Sequence, residues 1–162
     1  MTFLNKIKSY IDKCLFILLF FIVSSILVCI CLQVFSRYLL KHPFVFTEEL
    51  VRFLLIWLGL FGASYTFGRK GHIALTLILD KFKGNLKKIV NILINILVLI
   101  FSVLVLTIGG FKLILITKTQ LSSVLTIPIW WVYIVAPISG IITTFYQLYF
   151  MLLNLLNKGE QQ

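Results

Sequence analysis

Four long apolar runs separated by short polar links make up most of the chain. The first covers 14–37, with Ser24, Ser25 and Gln33 inside it and Ser36 and Arg37 at its end. The second covers 48–68 and carries Arg52 near its entry. The third covers 88–117, with Asn91 and Asn95 inside it and Lys112 toward its end. The fourth covers 128–156. Runs of roughly 18 or more apolar residues match the ~30 Å hydrocarbon core of a bilayer at 1.5 Å rise per residue. A membrane β-barrel needs segments of alternating polarity, whereas these runs are apolar all round. Backbone groups in hydrocarbon must pair within their own segment, which leaves helices. The pattern predicts an all-α integral membrane protein with four transmembrane helices, in a single domain over 1–162.

The links refine this picture. The first thirteen residues have Phe3, Leu4, Ile7, Tyr10 and Ile11 on one helical face, so they are expected to lie on the inner surface before span one. The link from span one to span two is short, which makes the two an antiparallel hairpin. Pro43 holds His42 out of the helical region, and Thr47 suits the N-cap of span two, with Glu48 and Glu49 in its first turn. Between spans two and three, Leu75, Ile78, Leu79, Phe82 and Leu86 recur at helical spacing opposite Thr76, Asp80, Lys83 and Lys87. This predicts a short amphipathic interfacial helix over about 72–83. Pro128 permits a helix start, and Trp130, Trp131 and Tyr133 mark the membrane–water interface at span four.

Composition agrees with the pattern: 60% of the 162 residues are hydrophobic and 12% are charged. Charge adds the topology. An inner N-terminus places Lys6, Lys8, Lys13, Arg69, Lys70, Lys81, Lys83, Lys87, Lys88 and Lys158 inside, and Arg37, Lys41, Arg52, Lys112 and Lys118 outside. Ten against five obeys the positive-inside rule, and four spans return the C-terminus to the inner side. The net charge of +10 therefore reads as topology plus attraction to anionic lipids, not as affinity for nucleic acid. The first run is longer than a signal-peptide core and no small-x-small cleavage site follows it, so it is expected to stay as an anchor.

Candidate chemistry is sparse. Cys14, Cys29 and Cys31 all lie in the first run without a CxxC pair, and read as packing residues. His42 and His72 fall on opposite predicted sides, which argues against a shared metal or haem site. No phosphate-binding glycine loop and no nucleophile–base pattern is present, so no enzyme and no cofactor is expected. The polar cluster is Glu48-Glu49-x-x-Arg52, where Glu48 and Arg52 stand four apart on one helical face, and Arg37 could approach across the hairpin. The span centres lack ionisable residues. A transporter that works alone usually has a polar site near the midplane, whereas small hydroxyl and amide groups more often join helices.

Three segments carry a family resemblance: Phe46-Thr47-Glu48-Glu49-x-x-Arg52 leading to Trp57 and Gly62-Ala63; Gly71-His72-Ile73; and Ser123-x-Leu125-x-Ile127-Pro128-x-Trp130 with Tyr133 and Pro137. Their order resembles the small, Q-type (DctQ-like) membrane subunit of tripartite ATP-independent periplasmic (TRAP) transporters. Phe46 stands where that family often has Trp, and Thr76 where it often has an acidic residue. The resemblance implies a multi-pass bacterial inner-membrane protein that braces a large elevator-type permease subunit as a heterodimer. A periplasmic binding protein would deliver an organic acid, of the C4-dicarboxylate or sialic acid type. Sodium would sit in the large subunit. Arg37, Glu48, Glu49, Arg52, Trp57, His72, Pro128, Trp130 and Trp131 are the structural or subunit-interface candidates. The rival reading is a self-sufficient oligomeric transporter that uses Glu48 or Glu49.

Overall fold

The computed structural model describes residues 2–41, 44–69 and 85–159. The expected interfacial helix over 72–83, with His72, lies outside the described residues, as do His42 and Pro43. Five helices are described: α1 (Thr2–Tyr38), α2 (Val45–Gly68), α3, a short α4 (Trp130–Tyr133) and α5 (Val135–Gly159). Helix α3 is continuous and consists of Asn85–Ile100, a π-helical stretch Phe101–Gly109, and Gly110–Thr117. Four stretches are long and apolar enough to cross a membrane: Leu4–Tyr38, Val45–Gly68, Ile89–Thr117 and Trp130–Leu153.

Two local readings change. The first thirteen residues do not turn along the surface; they run straight into the span as one 37-residue helix. No Gly or Pro interrupts this stretch, so nothing ends the helical hydrogen-bond ladder. At 1.5 Å per residue, α1 is about 55 Å long and must project beyond the ~30 Å core. Helix α2 starts at Val45, ahead of Thr47, with Phe44 as its N-cap in an extended conformation. Thr47 closes the first turn instead of opening it: its N–H (3.2 Å) and its hydroxyl (2.6 Å) both donate to the Phe44 carbonyl. Ser36 completes the hairpin by donating to Gln33 O at 3.0 Å and accepting from Phe44 N at 3.3 Å. Ser36 and Thr47 are both fully buried.

The core gathers Leu15, Ile22 and Ile26 of α1, Phe61 of α2, and Val135 and Tyr146 of α5. Hydrocarbon gives no hydrophobic push between helices, so close backbone approach and interhelical hydrogen bonds must hold them together. Ser64 of α2 does this at the α5 seam: its hydroxyl lies 3.1 Å from Ser139 O and 3.0 Å from Thr143 Oγ1. Gly68 lets the Tyr146 ring sit where a side chain would otherwise stand, with ring carbons 2.5–2.8 Å from an ideal Cβ.

The α3–α5 seam uses the same devices. Ser102 Oγ and Thr144 Oγ1 are 2.9 Å apart. Within the wider π turn, Thr107 donates its hydroxyl to Ser102 O, five residues back, at 2.9 Å. This stretch lies against Gly140, and Gly110 lies against Pro137 and Ala136. Pro137 also explains why α4 and α5 are separate. It has no N–H for the Tyr133 carbonyl four residues earlier, and the helix breaks at Ile134.

A matched pair of glycine substitutions tests the seam. A Cβ on Gly140 would meet Thr107 Oγ1 at 2.5 Å and Leu106 Cβ and Ser102 O at 2.9 Å, whereas one on Gly62 meets nothing within 4 Å. Gly140→Ala should destabilise the bundle by about 1–3 kcal/mol through overpacking. Gly62→Ala should be neutral or slightly stabilising. Thermal unfolding in detergent reads the difference, and equal midpoints for the two variants would refute the close approach.

Candidate functional site

The outer end of the bundle brings together two of the segments singled out in the sequence. After α3 the chain forms a tight reverse loop. Gln120 N donates to Thr117 O at 3.0 Å, Ser122 N to Ile127 O at 2.9 Å and Ile129 N to Gln120 O at 2.9 Å. Leu121 and Pro128 pair as an antiparallel bridge. Thr126 takes a left-handed φ of 53°, which only the tight turn enforces on a β-branched residue.

Glu49 of α2 holds the tip of this loop. Its Oε1 accepts from Ser123 N at 3.2 Å, and its Oε2 accepts from Val124 N at 3.1 Å and Leu125 N at 2.8 Å. Three successive backbone donors thus converge on one carboxylate. Donation to an ionised acceptor makes such bonds stronger than neutral ones. The partner of Glu49 is therefore the loop between spans three and four, some 75 residues away, and not Arg37 or Arg52.

The other candidates separate around it. Glu48 pairs with Arg52 at 3.3 Å on the exposed side of α2, with side chains 60% and 68% exposed. Exposed pairs of this kind contribute about 0.2–1 kcal/mol. Arg37 is exposed and belongs to neither ion pair of the described residues, which are Arg52–Glu48 and Lys8–Asp12. Trp57 donates its indole N–H to Val132 O at 3.0 Å, beside the break imposed by Pro137, and meets Phe61 edge-on at 5.9 Å. Trp130 and Trp131 stack at 5.0 Å, and Trp131 is half exposed at the outer interface. Pro128 closes the reverse loop, and its carbonyl accepts from Trp131 N at 3.1 Å.

A second clasp, at the inner end, was not anticipated from the sequence. Asp12 of α1 accepts from the Tyr146 hydroxyl of α5 and pairs with Lys8 at 2.7 Å. One turn further out toward the end, Tyr149 donates to Asn5. The available signal was a lone carboxylate among Lys6, Lys8 and Lys13, which needs a partner once it approaches the membrane. Nothing in the local pattern pointed to a tyrosine of span four. Among the described residues, no group of three or more His, Cys, Asp or Glu side chains could hold a metal ion.

The arrangement is a bundle tied at both ends, and comparison with known proteins gives it a family. The model of the DctQ component of tripartite ATP-independent periplasmic transporters matches residues 26–157. The sialic acid TRAP transporter small permease protein SiaQ of Vibrio cholerae is 30% identical over 105 residues, covering 64% of this chain and 59% of that protein. A Haemophilus influenzae protein described as a TRAP transporter small permease is 29% identical over 139 residues, covering 84% and 82%. The sialic acid TRAP transporter permease protein SiaT of Haemophilus influenzae is 24% identical over 100 residues, covering 62% of this chain and only 15% of SiaT. Thus the matched stretch spans under two thirds of both sialic acid relatives. The family is a membrane component of a transporter and not an enzyme, and its four apolar helices make it a multi-pass protein of the inner membrane. With residues 26–157 matched, which is most of its length, the chain belongs to the DctQ component family of TRAP transporters.

Proposed function

We propose that this chain is the scaffold subunit of a sodium-coupled TRAP transporter. It braces a large elevator-type permease that takes up an organic acid delivered by a periplasmic binding protein. One observation carries the reading. The buried hydroxyls at bilayer depth, Ser64, Ser102, Ser139 and Thr143, are all engaged with other helices or with their own helix backbone. The span centres contain no ionisable group. A hydrophilic solute or a cation therefore finds nothing there to hold, and the sodium ions belong in the permease. The match within SiaT supports the partnership, because a segment like this chain forms 15% of that much longer permease protein. SiaT and SiaQ favour a sialic acid type of cargo over a C4-dicarboxylate.

The rival, a self-sufficient transporter, needs a free carboxylate at Glu48 or Glu49. Glu49 faces three backbone donors, and Glu48 is in an exposed surface pair. Both arrangements suit structure better than cargo binding.

Two measurements decide between them. Tagged chain, co-expressed with a large TRAP permease subunit, should co-purify with that permease, and the chain alone in liposomes should show no sodium-driven uptake of labelled sialic acid or dicarboxylate. Uptake by the chain alone would overturn the scaffold reading. Glu49→Ala should release the reverse loop, seen as faster tryptic cleavage at Lys118, and should weaken association with the permease. Glu48→Ala should leave both nearly unchanged. A Glu49→Gln variant that assembles normally, keeps its loop protected and yet transports nothing would instead favour a carboxylate acting on the cargo.

A further inference from the structure

The inner mouth of the bundle, between α1, α2 and α5, holds an open groove of about 370 Å³ lined by Lys8, Asp12, Gly68, Arg69 and Phe150. We propose that this groove takes the phosphate head of an anionic phospholipid of the inner leaflet, with an acyl chain lying along Phe16 and Phe20 of α1.

Charge is the first argument. Lys8 and Arg69 set two cations against one carboxylate, Asp12, and leave the groove with one net positive charge. Asp12 is already matched by Lys8 at 2.7 Å and by the Tyr146 hydroxyl, so it does not stand bare toward an incoming anion. Among the described residues Arg69 has no carboxylate partner; its guanidinium lies over the Tyr65 ring, 5.0 Å from the centroid. A guanidinium over a ring leaves N–H donors for a phosphate, which it can meet through two parallel bonds.

Position selects a lipid over a free anion. Basic residues place this end of the bundle at the inner leaflet, where anionic head groups concentrate. The aromatic row continues from the groove toward the bilayer centre. The Tyr65 ring lies 6.4 Å from Phe16, and Phe20 follows one turn deeper on α1. Phe16 and Phe20 are 59% and 62% exposed, so an acyl chain has an open apolar track that begins beneath the cation. Inorganic phosphate would use the cations and leave this track empty.

The full chain, delipidated and reconstituted in nanodiscs of mixed phosphatidylcholine and phosphatidylglycerol, provides the test. Native mass spectrometry counts the lipids that remain bound. Wild type should retain phosphatidylglycerol over phosphatidylcholine. Arg69→Gln should lose about fivefold of that preference, the effect of one cation near a membrane surface. Arg69→Lys should keep most of it, and Arg52→Gln, at the outer end, should keep all of it. Unchanged helical circular dichroism confirms that the variants are folded. Phe16→Ala with Phe20→Ala should weaken lipid retention while the charge preference persists. Equal retention of the two lipids, or a wild-type preference in Arg69→Gln, would overturn the proposal. So would complete displacement of phosphatidylglycerol by millimolar inorganic phosphate, which would mark a site for a free anion.

Discussion

Hydrocarbon cannot accept or donate a hydrogen bond, and the rest of this structure answers to that constraint. Every polar group carried into the bilayer must find its partner inside the protein. Ser64, Ser102 and Thr143 meet the requirement across helix seams, where each bond also fixes the rotation of one helix against another. Measured interhelical bonds of this type average about 0.6 kcal/mol, so none holds the bundle alone. They act together with the close approaches at Gly68, Gly110 and Gly140, where absent side chains bring neighbouring elements into contact.

Stronger polar contacts lie at the ends, where water and head groups lower the cost of charge. Glu49 ties α2 to the reverse loop at the outer face, and Asp12 ties α1 to α5 at the inner face. Span four thus meets both clasps, one through the loop that leads into it and one through Tyr146. Such a bundle resists splaying at both membrane surfaces while its middle stays apolar. This is the mechanical character that the proposed scaffold role calls for, and it agrees with a family that forms one component of a tripartite transporter.

The sequence made some of this legible and hid the rest for identifiable reasons. Hydropathy located the four spans because length and continuous apolar character are local properties. The family motifs were legible as ordered fragments, and the outer loop then brought two of them together. The partner of Glu49 was hidden because three consecutive backbone N–H groups leave no side-chain signature, and Arg52 offered a nearer, more obvious partner. The Asp12–Tyr146 bond was hidden because α1 was expected to bend along the surface. An uninterrupted helix instead carries Asp12 to the level of Tyr146. The N-cap lies three residues before Thr47, at Phe44, because the Thr47 hydroxyl serves the carbonyl behind it, while the capping pattern points to the amides ahead.

The π-helical stretch Phe101–Gly109 has a consequence of its own. A wider turn takes up more residues per revolution than an α-helix, so it resets the angular phase of everything that follows. Ser102 meets Thr144 at its start and Gly110 meets Pro137 just beyond its end, so contacts with the fourth span bracket the stretch on both sides. With the wide turn kept, deleting a single residue within the stretch would rotate Gly110 by roughly 80–100° around the axis. The third span would still be long and greasy enough to cross, yet it would present the wrong meridian to the fourth.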